Sequence, residues 1–168
     1  MFFDEAGAKP NMTRLRGRAP RGQRVHDAIP LCHWSTTTML CAVRLDGTTA
    51  AMTIEGPTTS EVFRAYVEHI LVPTLRPGDI VVLDNLSPHK DQAAVALIRA
   101  AGAEVRPLPP YSPDLNPIEK MWSKVKACLR RIKARDPDAL LAAIRSALAE
   151  VTAEDAAGWF ASCGYSII

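Results

Sequence analysis

The chain reads as an α/β protein built on a mixed sheet, with three strands in a meander, further strands parallel, and helices packed on the faces. Three observations predict this. Asp46-Gly47 sits between two runs of β-forming residues, which is a hairpin signal. Ile80-Val81-Val82-Leu83 is an unbroken apolar run, the composition of a strand covered on both faces. Beyond residue 58, strand-like runs alternate with runs of helical period, as βαβ-type crossovers require.

The elements follow in order. Met1-Phe2-Phe3 is apolar and ends in Asp4, so it reads as the tail of a strand, shorter than the usual run of about five or six. A connection rich in Gly, Pro and Arg extends from Gly7 to Gly22. Thr36 to Leu45 and Thr48 to Glu55 form the hairpin. Thr58-Thr59-Ser60-Glu61 opens a helix on which Val62, Phe63, Tyr66, Val67, Ile70 and Leu71 recur at helical spacing until Pro73. Pro77-Gly78 turns the chain into the Ile80–Leu83 strand, which stops at Asp84-Asn85. A helix from about Asp91 to Ala101 ends at Gly102, and Val105 to Leu108 is a further strand. The connector Pro109-Pro110-Tyr111-Ser112-Pro113 is rigid. Ile118, Met121, Trp122, Val125, Leu129 and Ile132 then form one apolar helical stripe. A second helix starts at Asp136-Pro137, with Leu140, Leu141, Ile144, Leu148 and Val151 as its stripe. A last short helix from Thr152 carries Trp159 and Phe160.

At 168 residues the chain fits one domain, 1–168, with a sizeable core. Its hydrophobic content of 48% and charged content of 23% exclude a disordered or fibrous class. The four cysteines are scattered, with no CxxC pair and no metal-ligand spacing to His26, His33, His69 or His89. They read as reduced thiols of an intracellular protein, three of them in the core. With neither a signal peptide nor a membrane-length apolar run, the expected location is cytosolic.

Charge is small in sum, +2, but uneven along the chain. Lys9 to Arg24 holds six basic residues and no acid, and Lys120 to Arg135 holds seven and no acid. Such segments suit a polyanion such as nucleic acid, although solvated faces look the same in composition. Both segments are expected at the rim of the site, and Arg14, Arg16, Arg18, Arg21, Lys90, Lys120 and Lys124 are the candidate phosphate contacts.

Three carboxylates carry the candidate chemistry. Asp4 and Asp84 end strands, where α/β sheets form their ligand sites, and Glu119 opens a helix. If the strands of Asp4 and Asp84 are parallel neighbours, both acids emerge at one sheet edge and Glu119 closes the site. Three acids without His or Cys suit Mg²⁺ or Mn²⁺, and two such ions serve phosphodiester chemistry. Each acid also has a plain reading: strand end, turn, and capping-box glutamate of Asn116-Pro117-Ile118-Glu119.

Thirty-four residues lie between Asp84 and Glu119. The text around them, Val81-Val82-Leu83-Asp84-Asn85-Leu86-Ser87-Pro88-His89-Lys90 and Pro110-Tyr111-Ser112-Pro113-Asp114-Leu115-Asn116-Pro117-Ile118-Glu119-Lys120-Met121-Trp122, resembles the DDE transposases of bacterial insertion sequences related to mariner elements. Phe3-Asp4-Glu5-Ala6-Gly7 and the Thr13–Gly22 segment resemble the first-acid region of the same family. The resemblance implies a ribonuclease-H-like fold and an Asp4, Asp84, Glu119 metal triad. It further implies cleavage at element ends and strand transfer into a target, typically at TA. Glu5 alternates to the other strand face and is left out of the triad. His89 and Asn85 read either as groups orienting phosphate or water, or as loop caps. Family members carry helix-turn-helix modules before the catalytic domain. None is legible here, so the chain is expected to be a homo-oligomer or the partner of an upstream DNA-binding polypeptide, acting at the nucleoid. Two rivals stand beside this reading: another ribonuclease-H-like nuclease, and an inactive remnant that binds only DNA or a partner.

Overall fold

The computed structural model describes residues 1–30 and 35–165; Cys32 and His33 lie outside them. Five strands, β1 (Phe2–Ala8), β2 (Thr37–Val43), β3 (Thr49–Glu55), β4 (Ile80–Leu83) and β5 (Glu104–Pro107), form one sheet in the order β3-β2-β1-β4-β5. β1, β2 and β3 pair antiparallel, while β4 lies parallel to both β1 and β5. This is the mixed sheet that the sequence predicts. Among the described residues five α-helices flank it: α1 (Ser60–Tyr66), α2 (Gln92–Ala100), α3 (Pro117–Ile132), α4 (Pro137–Ala149) and α5 (Ala153–Ser162).

Strand alternation sorts β1 between two cores. Phe2, Ala6 and Ala8 face α3, α4 and α5, together with Met39, Cys41 and Val43 of β2. Phe3 faces α1 and α2, together with Leu40, Ala42, Val81 and Leu83. Asp4 therefore lies on the face of α3, and Glu5 on the face of α1 and α2.

Local chemistry sets the helix ends. Thr59, Asp91, Asp136 and Thr152 each cap a helix through a side-chain oxygen, and Thr152 with Asp155 completes a capping box. The helix predicted up to Pro73 changes character on the way: after α1 the chain makes a π-helical turn, Val67–Leu71, and a 3₁₀ turn, Val72–Thr74. The Pro73 ring crowds the carbonyl four residues back, which a wider turn relieves. The apolar stripes are buried apart from their margins, since Ile132 and Leu141 remain exposed. Cys41, Cys128 and Cys163 are buried free thiols. No helix among the described residues is long and apolar enough to cross a membrane.

Candidate active site

β1 and β4 set the site. Phe2 pairs with Val82 in the parallel ladder, so two residues further on Asp4 and Asp84 stand at the same level on neighbouring strands. Asp84 follows immediately on the end of β4, as expected. Asp4 corrects the expectation of a strand end: it is the third residue of a seven-residue strand. β1 continues because β2 pairs with it along its whole length, Phe2 with Val43 through to Ala8 with Thr37.

Glu119 reaches the same cleft from the first turn of α3. Asp4, Asp84 and Glu119 line a cavity of about 400 Å³, closed by Leu108, the 109–113 connector and Asn116. The capping-box alternative for Glu119 is not what the structure contains. The Asn116 side chain accepts no capping bond, and the Asn116 N–H is taken by the Pro113 carbonyl at 3.1 Å. Glu119 is left exposed at the mouth, whereas Asp4 is 7% exposed.

The electrostatics follow from this burial. Loss of water, followed by the charges of Glu119 and Asp84, pushes the Asp4 carboxyl up to about 7, against a backbone hydrogen bond that favours its charged form. Burial also pulls Asp84 upward. Hydrogen bonds from His89 and from the Leu86 N–H outweigh it and hold the Asp84 carboxyl below the ordinary range.

His89 is the group that sequence reading left open between two roles. Its side chain is fully buried, between Phe3 and Phe63 at ring-centroid distances of 5.0 and 4.9 Å. Nδ1 donates to Asp84 Oδ1, and Nε2 donates to Glu5 Oε2 at 3.2 Å. Burial lowers its pKa, but the two carboxylates win and lift it to about 9, so the ring is an imidazolium at neutral pH. Glu5, left out of the triad, thus reaches Asp84 through His89 from the opposite face of the sheet. Asn85 has a structural role: its Nδ2 donates to the Leu108 carbonyl and ties the loop after β4 to the loop after β5. Asn116, which sequence reading took for a helix cap, lines the cleft with its Oδ1 buried and unpartnered. Its place three residues before Glu119 was the available signal.

The cationic candidates scatter. Lys90 and Lys120 are exposed beside His89 and Glu119. Arg14, Arg16, Arg18 and Arg21 lie in an exposed segment without regular structure. Of these, Arg14 corrects the expectation of a rim position. Thr13, Arg14 and Lys133 all reach Asp27, and Arg135 donates to the Pro10 and Met12 carbonyls. These contacts lie beyond the far end of α3, fourteen residues and so about 20 Å of helix from Glu119. The Lys124 ammonium is held by the Asp155 carboxylate and the Glu150 carbonyl, joining α3 to α5.

The donor set suits a hard divalent cation. The cleft offers three carboxylates and the orphaned amide oxygen of Asn116, and neither a thiolate nor an imidazole lines it. Among the described residues no three acidic, His or Cys side chains already close round one point.

Comparisons with known proteins agree with this geometry. Among curated proteins, no sequence matches the chain. Its fold is similar to a Mos1 transposase paired-end complex with the left transposon end (TM-score 0.72, 17% identity, 95% of this chain and 50% of that one). It is also similar to the Mos1 mariner paired-end complex with Mn (TM-score 0.71, 17% identity, 95% and 51%). The catalytic core of BIV integrase is a further likeness (TM-score 0.53, 20% identity, 70% and 76%). The chain thus spans about half the length of the Mos1 chains, with the ribonuclease-H-like fold of transposase and integrase cores. The family model described as DDE superfamily endonuclease matches residues 1–141, a span that holds all three cleft acids, and the chain belongs to that family.

Proposed function

We propose that this chain is the catalytic domain of a cut-and-paste transposase that cleaves DNA phosphodiesters at element ends and transfers the freed strand to a target, with TA as the preferred site. One observation carries the reading: Asp4 and Asp84 stand level on adjacent parallel strands, and Glu119 faces the same cleft from a separate helix. The three carboxylates would hold two Mg²⁺ or Mn²⁺ ions, with Asn116 as a further oxygen donor. When bound, such ions supply Lewis acidity toward a phosphodiester and toward the water or 3′-hydroxyl that attacks it.

The remaining roles belong to the chain itself. Asp4 is buried and disfavoured as an anion until a cation arrives, so the cleft is primed for positive charge. His89 fixes the orientation of Asp84, and Asn85 fixes the loop that carries it. Lys90 and Lys120 flank the cleft as candidate phosphate contacts. Arg14, which reaches Asp27 near the far end of α3, about 20 Å of helix from Glu119, would meet DNA further from the reacting bond. A likeness to paired-end complexes supports assembly as a homo-oligomer on DNA, or with an upstream DNA-binding polypeptide.

The test is metal-dependent nicking of supercoiled and element-end DNA by parent, Asp84→Asn and Glu119→Gln proteins. The expected result is nicking by the parent and none by either variant, with unchanged circular dichroism. Near-normal nicking by a variant overturns the triad. Preference for RNA–DNA hybrid identifies a ribonuclease H instead.

A further inference from the structure

Tyr111 is the most exposed large apolar side chain of the described residues, at 102% of its reference area, and it lines the carboxylate cleft. Its backbone is also strained. Among the described residues only two non-glycine residues have a left-handed φ, Tyr111 at 55° and Lys133 at 57°. Lys133 has a local reason: it closes α3, and its N–H bonds back to the Leu129 carbonyl. Tyr111 closes no helix. A left-handed φ is unfavourable for a residue carrying a Cβ, and an aromatic ring held wholly in water recovers nothing from burial. The free protein therefore keeps a strained residue whose ring touches nothing.

The connector holds the Tyr111 backbone at the cleft. Pro109 and Pro110 before it and Pro113 after it stiffen the connector, and all of them line the same cleft. Leu86, also exposed, lines the same cleft from the loop after Asp84. A rigid aromatic face beside three carboxylates does not suit a phosphate, which needs donors or cations. It suits a flat apolar surface, and DNA offers one in its bases. A base inside a duplex has both faces covered by neighbours. The free face belongs to a base that is unpaired, at a strand end or displaced from the stack.

We propose that Tyr111 is a stacking platform for an unpaired nucleobase of the DNA strand held at the carboxylate cleft. The inference rests on the DNA-cleaving reading and adds to it a base-binding position. Stacking uses the face of the ring, so the contribution of Tyr111 is independent of strand charge and of the phenolic hydroxyl. Strain at functional sites persists where a ligand contact makes use of it, and Tyr111 fits that pattern.

The experiment compares two probes of equal length and charge, a twelve-nucleotide oligothymidylate and the same strand with abasic sugars throughout. Binding is measured at low salt with Ca²⁺ present, for the parent and for Tyr111→Ala, Tyr111→Phe and Tyr111→Trp. The parent is expected to prefer the thymidylate strand by about five- to hundredfold, the range of one base–aromatic stack. Tyr111→Ala should lose that preference while keeping its affinity for the abasic strand, and the Phe and Trp variants should keep both. As an independent readout, Tyr111→Gly should melt no lower than the parent, because removing Cβ relieves the left-handed backbone. A preference that survives in Tyr111→Ala overturns the proposal while leaving the DNA-cleaving reading intact. So does a preference lost in Tyr111→Phe, which would place the contact at the hydroxyl. Tyr111→Gly melting well below the parent would show a packing role and likewise overturn it. A parent that neither binds these strands nor nicks DNA removes both readings together.

Discussion

His89 and Asp84 are joined by a hydrogen bond that holds a cleft carboxylate from behind, with His89 buried against Phe3 and Phe63 and its other nitrogen on Glu5. One Asp84 oxygen is thereby committed to the protein. The orientation of the other is set by a ring that two aromatic side chains keep from rotating.

Loss of that ring should loosen Asp84 as a ligand. His89→Ala is expected to weaken Mn²⁺ binding by about 10–100-fold, as removal of partners that orient metal ligands commonly does. His89→Gln, which can still donate one bond, should recover part of the loss. Titration calorimetry with Mn²⁺ alone checks both variants, and unchanged affinity in His89→Ala removes the positioning role.

Cations should stabilise the fold through Asp4. At a hundredfold excess over Kd, Mg²⁺ or Mn²⁺ should add about 2.7 kcal/mol. Asp4→Asn removes a buried charge that Glu119 and Asp84 oppose, so without metal it should melt above the parent. The same variant should not respond to metal. Melting curves with and without the ion decide this, and a metal response retained in Asp4→Asn would exclude Asp4 as a ligand.

The Arg44–Asp79 pair predicts acid sensitivity. Both side chains are 14% exposed and joined by two bonds, of 2.6 and 2.7 Å, and Arg44 also reaches the Thr74 carbonyl. The Arg44 guanidinium leads in holding Asp79 down, at about 2. A depressed carboxylate stabilises the fold above its unfolded pKa, near 4, and that stability is lost as pH falls through about 2. Urea unfolding between pH 5 and pH 2, a window that covers most of this titration, should show a loss of about 2 kcal/mol from this pair. Asp79→Asn should be less stable at neutral pH by about 2–3 kcal/mol, and less sensitive to acid across that window.

DNA affinity and stability should separate between Arg14, Arg16 and Arg18 on one side and Lys124 on the other. Replacing Arg14, Arg16 and Arg18 by Ala should flatten the log–log salt dependence of DNA binding by up to about three units if all three meet phosphate. Lys124→Ala should leave DNA binding unchanged and lower the melting temperature, because Lys124 joins α3 to Asp155 and Glu150. A reversed pattern would exchange their roles.

Much of the molecule was legible in the residues alone, because local chemistry specifies it. Ile80–Leu83 is a strand by composition, Thr59, Asp91, Asp136 and Thr152 announce helix starts, and the α3 stripe marks a buried face. Asp84 at the end of β4 and Glu119 in the first turn of α3 follow from those boundaries. The resemblance then joined them to Asp4.

What local pattern could not decide was who meets whom across the sheet. The parallel register of Phe2 with Val82 levels Asp4 with Asp84, and strand parity sends Asp4 toward α3 and Glu5 toward His89. β1 runs past Asp4 because β2 pairs with it, a contact made by residues 29 to 41 positions away. The same long-range packing took Arg14 to the far end of α3, gave Lys124 to Asp155, and left Tyr111 strained and bare at the cleft. Helix and strand propensities act over a few neighbouring residues, whereas register, facing and ion pairing depend on chain segments that only the closed fold brings together.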